Sequence, residues 1–182
     1  DSKDGSTMNW GNTIVSARWN YIFNNRLFSN TTVSYNNYLF DVNSYNNNKY
    51  ANSMGASIIN RYSADYRSGI NDWSYQIDFD YNPSPIHHIK FGTGYIYHRF
   101  RPEVMTSKIS EKTGDKVDRD TTYHSIANSR IYGHELSAYL EDNIKVNDRL
   151  RLNLGLHFSL FQVQKQSYSS LQPRVSARYQ LG

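Results

Sequence analysis

Leu150-Arg151-Leu152-Asn153-Leu154-Gly155-Leu156-His157-Phe158-Ser159 alternates without a break. Leu150, Leu152, Leu154, Leu156 and Phe158 are apolar, and the residues between them are polar or small. A period of two belongs to a strand whose faces meet different surroundings. The pattern recurs along the chain. Val15, Ala17, Trp19, Tyr21 and Phe23 alternate with Ser16, Arg18 and Asn20. Trp73, Tyr75, Ile77, Phe79 and Tyr81 alternate with Ser74, Gln76, Asp78 and Asp80. Repeated this often, with polar turns and long polar loops between, the alternation predicts a transmembrane β-barrel wall.

Composition agrees with that reading. The 182 residues amount to one domain, and they are 38% hydrophobic with a mean hydropathy of -0.74. No stretch approaches the ~18 consecutive apolar residues that a transmembrane helix needs. A barrel wall needs apolar residues on one face only, so its mean hydropathy stays low. The sixteen Tyr suit membrane interfaces, where the ring is buried and the hydroxyl stays wet. The net charge is +4, but twenty basic residues are interleaved with sixteen acidic ones and form no patch. Nucleic acid is therefore not expected as a partner.

There is no cysteine, so neither a disulfide framework nor a thiolate metal site is available. The six histidines are His87, His88, His98, His124, His134 and His157, and they lack metal-ligand spacing on a helix. No nucleophile motif is present. Neither an enzyme nor a cofactor or metal site is expected. The chain opens at Asp1 without a signal peptide, as an exported mature protein or an internal piece of a longer chain would.

The alternation marks seven segments, at about 12–23, 26–41, 71–81, 88–100, 131–146, 149–161 and 171–181. Asn24-Asn25 reads as a tight turn through asparagine's tolerance of left-handed backbone. Asn82-Pro83-Ser84-Pro85 ends a strand because proline lacks the ladder amide. Asn147-Asp148 is a third short turn. Long loops are expected at 42–70, with strand extensions, and at 101–130; a short polar link is expected at 164–170. Short turns alternating with longer loops are the asymmetry of outer-membrane barrels, whose short turns face the periplasm.

The expected fold class is all-β: an antiparallel meander of about seven to eight long strands, part of a larger transmembrane β-barrel. An odd count leaves an open edge that lipid cannot satisfy. Ser57–Arg67 is the best place for an uncounted strand, but its alternation is poor. A partial wall fits the pattern better.

Three further stretches go beyond alternation. The first runs Ser68-Gly69-Ile70-Asn71-Asp72-Trp73 and Asp78-Phe79-Asp80-Tyr81-Asn82-Pro83-Ser84-Pro85, then His88-Ile89-Lys90-Phe91-Gly92 and His98-Arg99-Phe100-Arg101-Pro102. The second is Glu135-Leu136-Ser137-Ala138-Tyr139-Leu140-Glu141-Asp142, followed by Asn147-Asp148-Arg149-Leu150 and Asn153-Leu154-Gly155-Leu156. The third is Leu171-Gln172-Pro173-Arg174-Val175-Ser176-Ala177-Arg178-Tyr179. Together they resemble the barrel region of TonB-dependent outer-membrane receptors, particularly those of Bacteroidota, from about residue 9 to 182.

That resemblance implies a ~22-stranded barrel with a plugged lumen. It implies receptor and transport functions at the bacterial outer membrane: uptake of a bulky nutrient, energised through the TonB complex. Glycan, siderophore, cobalamin and peptide are all open as cargo. The implied partners are outer-membrane lipid, the plug and remaining barrel strands of the parent chain, the TonB complex through that parent, and a surface lipoprotein as an open candidate. The chain shows no plug, no TonB-engaging segment and no terminal strand ending in an aromatic residue. It is therefore expected to be a fragment from the middle of the barrel, unable to transport anything alone.

On this reading Leu152, Leu154 and Leu156 face acyl chains, and the polar face lines the lumen. That face carries Arg18, Asp78, Asp80, Lys90, Glu135, Glu141, Lys145, Arg151, Arg174 and Arg178. No single one stands out as a ligand contact. Tyr45, Tyr50, Tyr62, Tyr66 and Tyr123 in the long loops are candidates for stacking on sugar rings, although such loops are common on wet surfaces. Two alternatives are a complete eight-stranded barrel with a structural or adhesive role, in which the first and last strands pair, and a soluble β-sandwich.

Overall fold

The computed structural model describes residues 1–124 and 130–181. It is an all-β meander. The strands are β1 (Ser2–Asn24), β2 (Leu27–Ala51), β3 (Ser57–Tyr81), β4 (His87–Thr113), β5 (Lys116–His124), β6 (Ile131–Lys145), β7 (Leu150–Val163) and β8 (Gln166–Tyr179). They form one sheet in the order β1-β2-β3-β4-β6-β7-β8, with β5 off that path on β4. The seven segments expected from alternation are the seven strands of the path. β1 and β8 end the order without pairing to each other.

The uncounted strand is β5, which lies in the expected 101–130 loop. It pairs antiparallel with the far half of β4, from Thr106↔His124 to Thr113↔Lys116. Ser57–Arg67 is also strand, but it begins β3 and does not form an eighth member. The expected long loops are thus mostly hairpin. Residues through Ala51 extend β2, and only 52–56 turn. Residues 125–129 of the second expected loop lie outside the described residues. The expected link at 164–170 is a two-residue turn: β7 ends at Val163, β8 begins at Gln166, and Gln164 adopts φ 53°.

The asparagine turns work differently from the sequence expectation. Neither Asn24 nor Asn25 has positive φ; Gln164 is the only non-glycine among the described residues that does. Instead, Asn24 Oδ1 accepts hydrogen bonds from the amides of Arg26 (2.8 Å) and Leu27 (3.0 Å). Asn147 Oδ1 does the same for Arg149 (2.9 Å) and Leu150 (2.8 Å). These are Asx turns, in which a short side-chain carbonyl replaces a backbone acceptor.

The chain divides into two compact units. The first comprises Asp1–Thr13, Asn37–Ile70 and Phe100–Ile131. Polar cross-strand pairs hold it: Asn46 donates to Asp4 (2.6 Å), Asn43 donates to Asp65, and Arg67 Nε donates to Asp41 (2.6 Å). That bond, then the Asp41 charge, raises Arg67 above its ordinary pKa. The pair is solvent-screened, with Arg67's side chain 64% exposed. Arg67→Ala is therefore expected to shift stability by no more than about 1 kcal/mol, read as the midpoint of urea unfolding of the parent protein.

The second unit comprises Ile14–Asn36, Asn71–Arg99 and Tyr132–Gly182. Its register builds continuous apolar rows. Ala138, Phe158 and Leu171 lie opposite one another, as do Leu140, Leu156 and Pro173, and Ile144, Leu152 and Ala177. Among the described residues no hydrophobic side chain is buried. Leu156 is 45% exposed, Val175 76% and Trp19 71%. A soluble sandwich would cover one face with a second sheet, but every described strand belongs to the same sheet. Covering a Leu or Val fully is worth roughly 1.5–3 kcal/mol. Contiguous exposed apolar rows of this kind mark a face that meets a partner or lipid.

Candidate functional site

The two faces of the second unit carry different chemistry. On the apolar face, aromatic rings gather at two levels. Phe79 and Phe91 stack at 4.8 Å and 10°, with Phe23 next to Phe79 at 6.2 Å. Six residues further along β3 and β4, about 20 Å of strand, Tyr35 meets Trp73 at 4.7 Å, and Tyr97 stacks on Tyr132 at 6.1 Å. At this second level the Tyr95 hydroxyl lies 2.7 Å from His134 Nδ1. Aromatic rings thus join the aliphatic rows on this face in two clusters.

One carboxylate breaks the apolar face. Asp142 stands opposite Leu154, whose other neighbour is Val175. Its Oδ2 lies 2.7 Å from His87 Nδ1, while its Oδ1 is enclosed without a partner. Alternation in the sequence pointed to β6's apolar positions and passed over this exception.

The opposite face is a polar lattice across β2, β3, β4, β6 and β7. Asn36 Nδ2 donates to Asp72 (3.4 Å). Asp72 Oδ1 lies 2.8 Å from His98 Nδ1, and His98 Nε2 lies 3.6 Å from Glu135. Asp80 lies 2.8 Å from His88 Nε2. Glu141 accepts from Asn143 and Asn153. The Tyr139 hydroxyl donates to Asp78 at 2.8 Å, spanning β4 from β6 to β3. It can do so because Gly92 lies beneath: a Cβ there would come within 2.8 Å of Tyr139 Cε1 and 2.6 Å of the Ile77 carbonyl oxygen.

This network gathers Asp78, Asp80, Glu135 and Glu141 from the sequence-predicted polar face. Asn36, Asp72, His88, His98 and Tyr139 join them, none of which alternation singled out for chemistry. Lys145 bonds Asp148 in the adjoining turn at 2.7 Å. Arg151, Arg174 and Arg178 have no acidic partner among the described residues. Among those residues, no group of three or more His, Asp or Glu is arranged to hold a metal ion.

The five loop tyrosines do not converge. Tyr45 covers Gly5, Tyr50 accepts from Asn60 (3.4 Å), Tyr66 packs edge-on against Phe40 (5.8 Å), and Tyr123 accepts from Arg119 (2.7 Å). Among the described residues no ring contact joins two of the five.

Comparison with known proteins agrees with this architecture. Residues 1–182 match the sequence model of the family described as TonB dependent receptor-like, beta-barrel. No curated protein matches. Solved structures similar to the chain include the FpvAI–pyocin S2 complex, at 11% identity and TM-score 0.45, covering 96% of this chain and 35% of that one. The ferripyoverdine receptor of the outer membrane of Pseudomonas aeruginosa is another, at 10% identity and TM-score 0.43, covering 96% and 34%. The siderophore receptor PirA from Pseudomonas aeruginosa is a third, at 12% and 0.38, covering 95% and 31%. The chain spans about a third of the length of these solved chains. The assignment rests on the family match and on the two-faced sheet that accompanies it: the chain belongs to the TonB dependent receptor-like β-barrel family, a family of receptors and transporters rather than enzymes.

Proposed function

We propose that this chain is a wall segment of a bacterial outer-membrane receptor of the Bacteroidota type, whose parent protein takes up a bulky nutrient with energy delivered through TonB. The family match over residues 1–182 carries the reading. The exposed apolar face, with its two aromatic clusters, suits lipid. The polar lattice suits a lumen filled by a plug and traversed by cargo. Glycan, siderophore, cobalamin and peptide remain the cargo classes. The bond between Tyr139 and Asp78 stiffens a wall that must bear a moving plug. The complete eight-stranded barrel is the weaker reading, since β1 and β8 do not pair.

The test uses the full-length parent in its own host. Deleting its gene should abolish uptake of one bulky nutrient. In cells lacking functional TonB, surface binding should persist while uptake stops. Uptake that survives the loss of TonB overturns the reading.

A further inference from the structure

We propose that the first unit carries a ring-stacking platform for a neutral glycan, formed by Trp10, Phe40 and Tyr66. The inference rests on the uptake reading above and names one cargo class within it. Asp1 and Lys49 exchange backbone hydrogen bonds of 2.8 Å each. Asn46 bonds Asp4, and Tyr45 covers Gly5, in the same register. Counted on from these pairs, Met8 lies opposite Val42 and Trp10 opposite Phe40. The bonds of Arg67 to Asp41 and of Asn43 to Asp65 then set Val42 opposite Tyr66. The Phe40 and Tyr66 rings meet edge-on at 5.8 Å and 80°. Trp10 is 73% exposed and Met8 61%. All of these residues belong to the first unit.

The back of the platform is polar, since Asp41, Asn43, Asp65 and Arg67 alternate with its members along β2 and β3. Trp10, Phe40 and Tyr66 share the parity of Arg18, Asn36 and Asp72 on β1, β2 and β3, whereas the apolar rows of those strands in the second unit have the opposite parity. Lipid is therefore not the expected occupant. The first unit holds the β2–β3 turn and the β4–β5 hairpin, the chain's longest excursions, and such barrels carry their long connections outside. Cargo arrives on that side.

The chemistry of the platform selects the cargo. An exposed apolar patch on a receptor marks a place where a ligand sits, and ligand sites join aromatic surface to a few polar groups. Trp, Phe and Tyr rings offer flat apolar surface, which fits the C–H face of a pyranose. Asn12, Ser44 and Ser68 have the same parity as the rings and supply neutral donors and acceptors for sugar hydroxyls. The rows of Met8 and Trp10 hold no charged side chain. Asp4, further along β1, is engaged by Asn46 at 2.6 Å and Ser2 at 3.3 Å. Anionic cargo is recognised through arginine or lysine, and cationic cargo through carboxylates. The platform offers neither.

The test uses the full-length receptor, extracted from its outer membrane in detergent and applied to an array of immobilised neutral oligosaccharides. The wild type should bind at least one of them. Trp10→Ala with Phe40→Ala should weaken that binding by about tenfold, as loss of a buried aromatic anchor does, with barrel assembly unchanged by heat-modifiable migration. Trp10→Tyr should keep most of the binding, and Arg67→Ala on the opposite face all of it. If the double variant fails to assemble, Trp10→Gln is read by the same criteria. Wild-type binding in an assembled variant overturns the proposal. So does a Trp10→Cys thiol that no water-soluble maleimide reaches in the assembled receptor, which would put another segment of the parent chain on the patch. A receptor that assembles in the outer membrane yet binds no neutral oligosaccharide overturns the platform and leaves the wall reading standing. A full-length protein that never reaches the outer membrane overturns the wall reading, and the platform with it.

Discussion

Leu156→Arg is expected to destabilise the parent receptor by about 2–4 kcal/mol when it is refolded into lipid vesicles, the cost of a cation near the midplane of a barrel's lipid face. Leu156 lies between Leu140 and Pro173, so no polar group shares its row. Leu154→Arg, one row away, is the informative control. Its cross-strand neighbour is Asp142, whose Oδ1 lacks a partner. An arginine there can reach that carboxylate, so the change should cost less than Leu156→Arg by about 1 kcal/mol or more. Urea-unfolding midpoints for the two variants, measured in the same vesicles, check both statements. Equal midpoints would remove Asp142 from the account. Two wild-type midpoints would show that water, not lipid, covers this face.

Gly92→Ala is expected to cost about 1–3 kcal/mol, as forced overpacking does. The new Cβ would fall 2.6 Å from the Ile77 carbonyl oxygen, which is backbone and cannot swing aside, and 2.8 Å from Tyr139 Cε1. Tyr139→Phe should cost about 1 kcal/mol, because Asp78 keeps its bonds from Gln76 Nε2 at 2.9 and 3.1 Å. Placing Gly92→Ala in a Tyr139→Ala background should relieve part of the clash. The double variant should then cost less than the two single variants added together, as for residues in contact. Unfolding of the four proteins in vesicles gives the coupling directly. Strict additivity would mean that the ring does not rest on the glycine.

The spanning parts of β6, β7 and β8 could be read from alternation because oil and water impose it residue by residue. In the first unit that alternation is missing. Residues 42–51, 57–70 and 106–124 lie in the first unit and keep strand form through backbone pairing and polar pairs such as Asn46–Asp4 and Arg67–Asp41. The Asn- and Ser-rich sequence of 42–70 and the charge-rich sequence of 106–124 carry no sustained period and read as loop. The turn between β7 and β8 was hidden for the same reason: Ser167, Tyr168 and Ser169 have polar groups on both sides. The polar lattice was half visible. Its carboxylates followed from alternation, but the span from Tyr139 to Asp78 depends on a glycine in the strand between them. The meeting of Trp10 with Phe40 depends on register, which no single strand contains.

The unpaired outer rims of β1 and β8 have a practical consequence. Each exposes a full line of amide donors and carbonyl acceptors, and exposed lines of this kind recruit other chains. Produced alone in an aqueous host, the polypeptide should deposit as insoluble inclusions instead of a monodisperse sample. Antigen or crystallisation work is therefore best begun from the entire gene, in detergent.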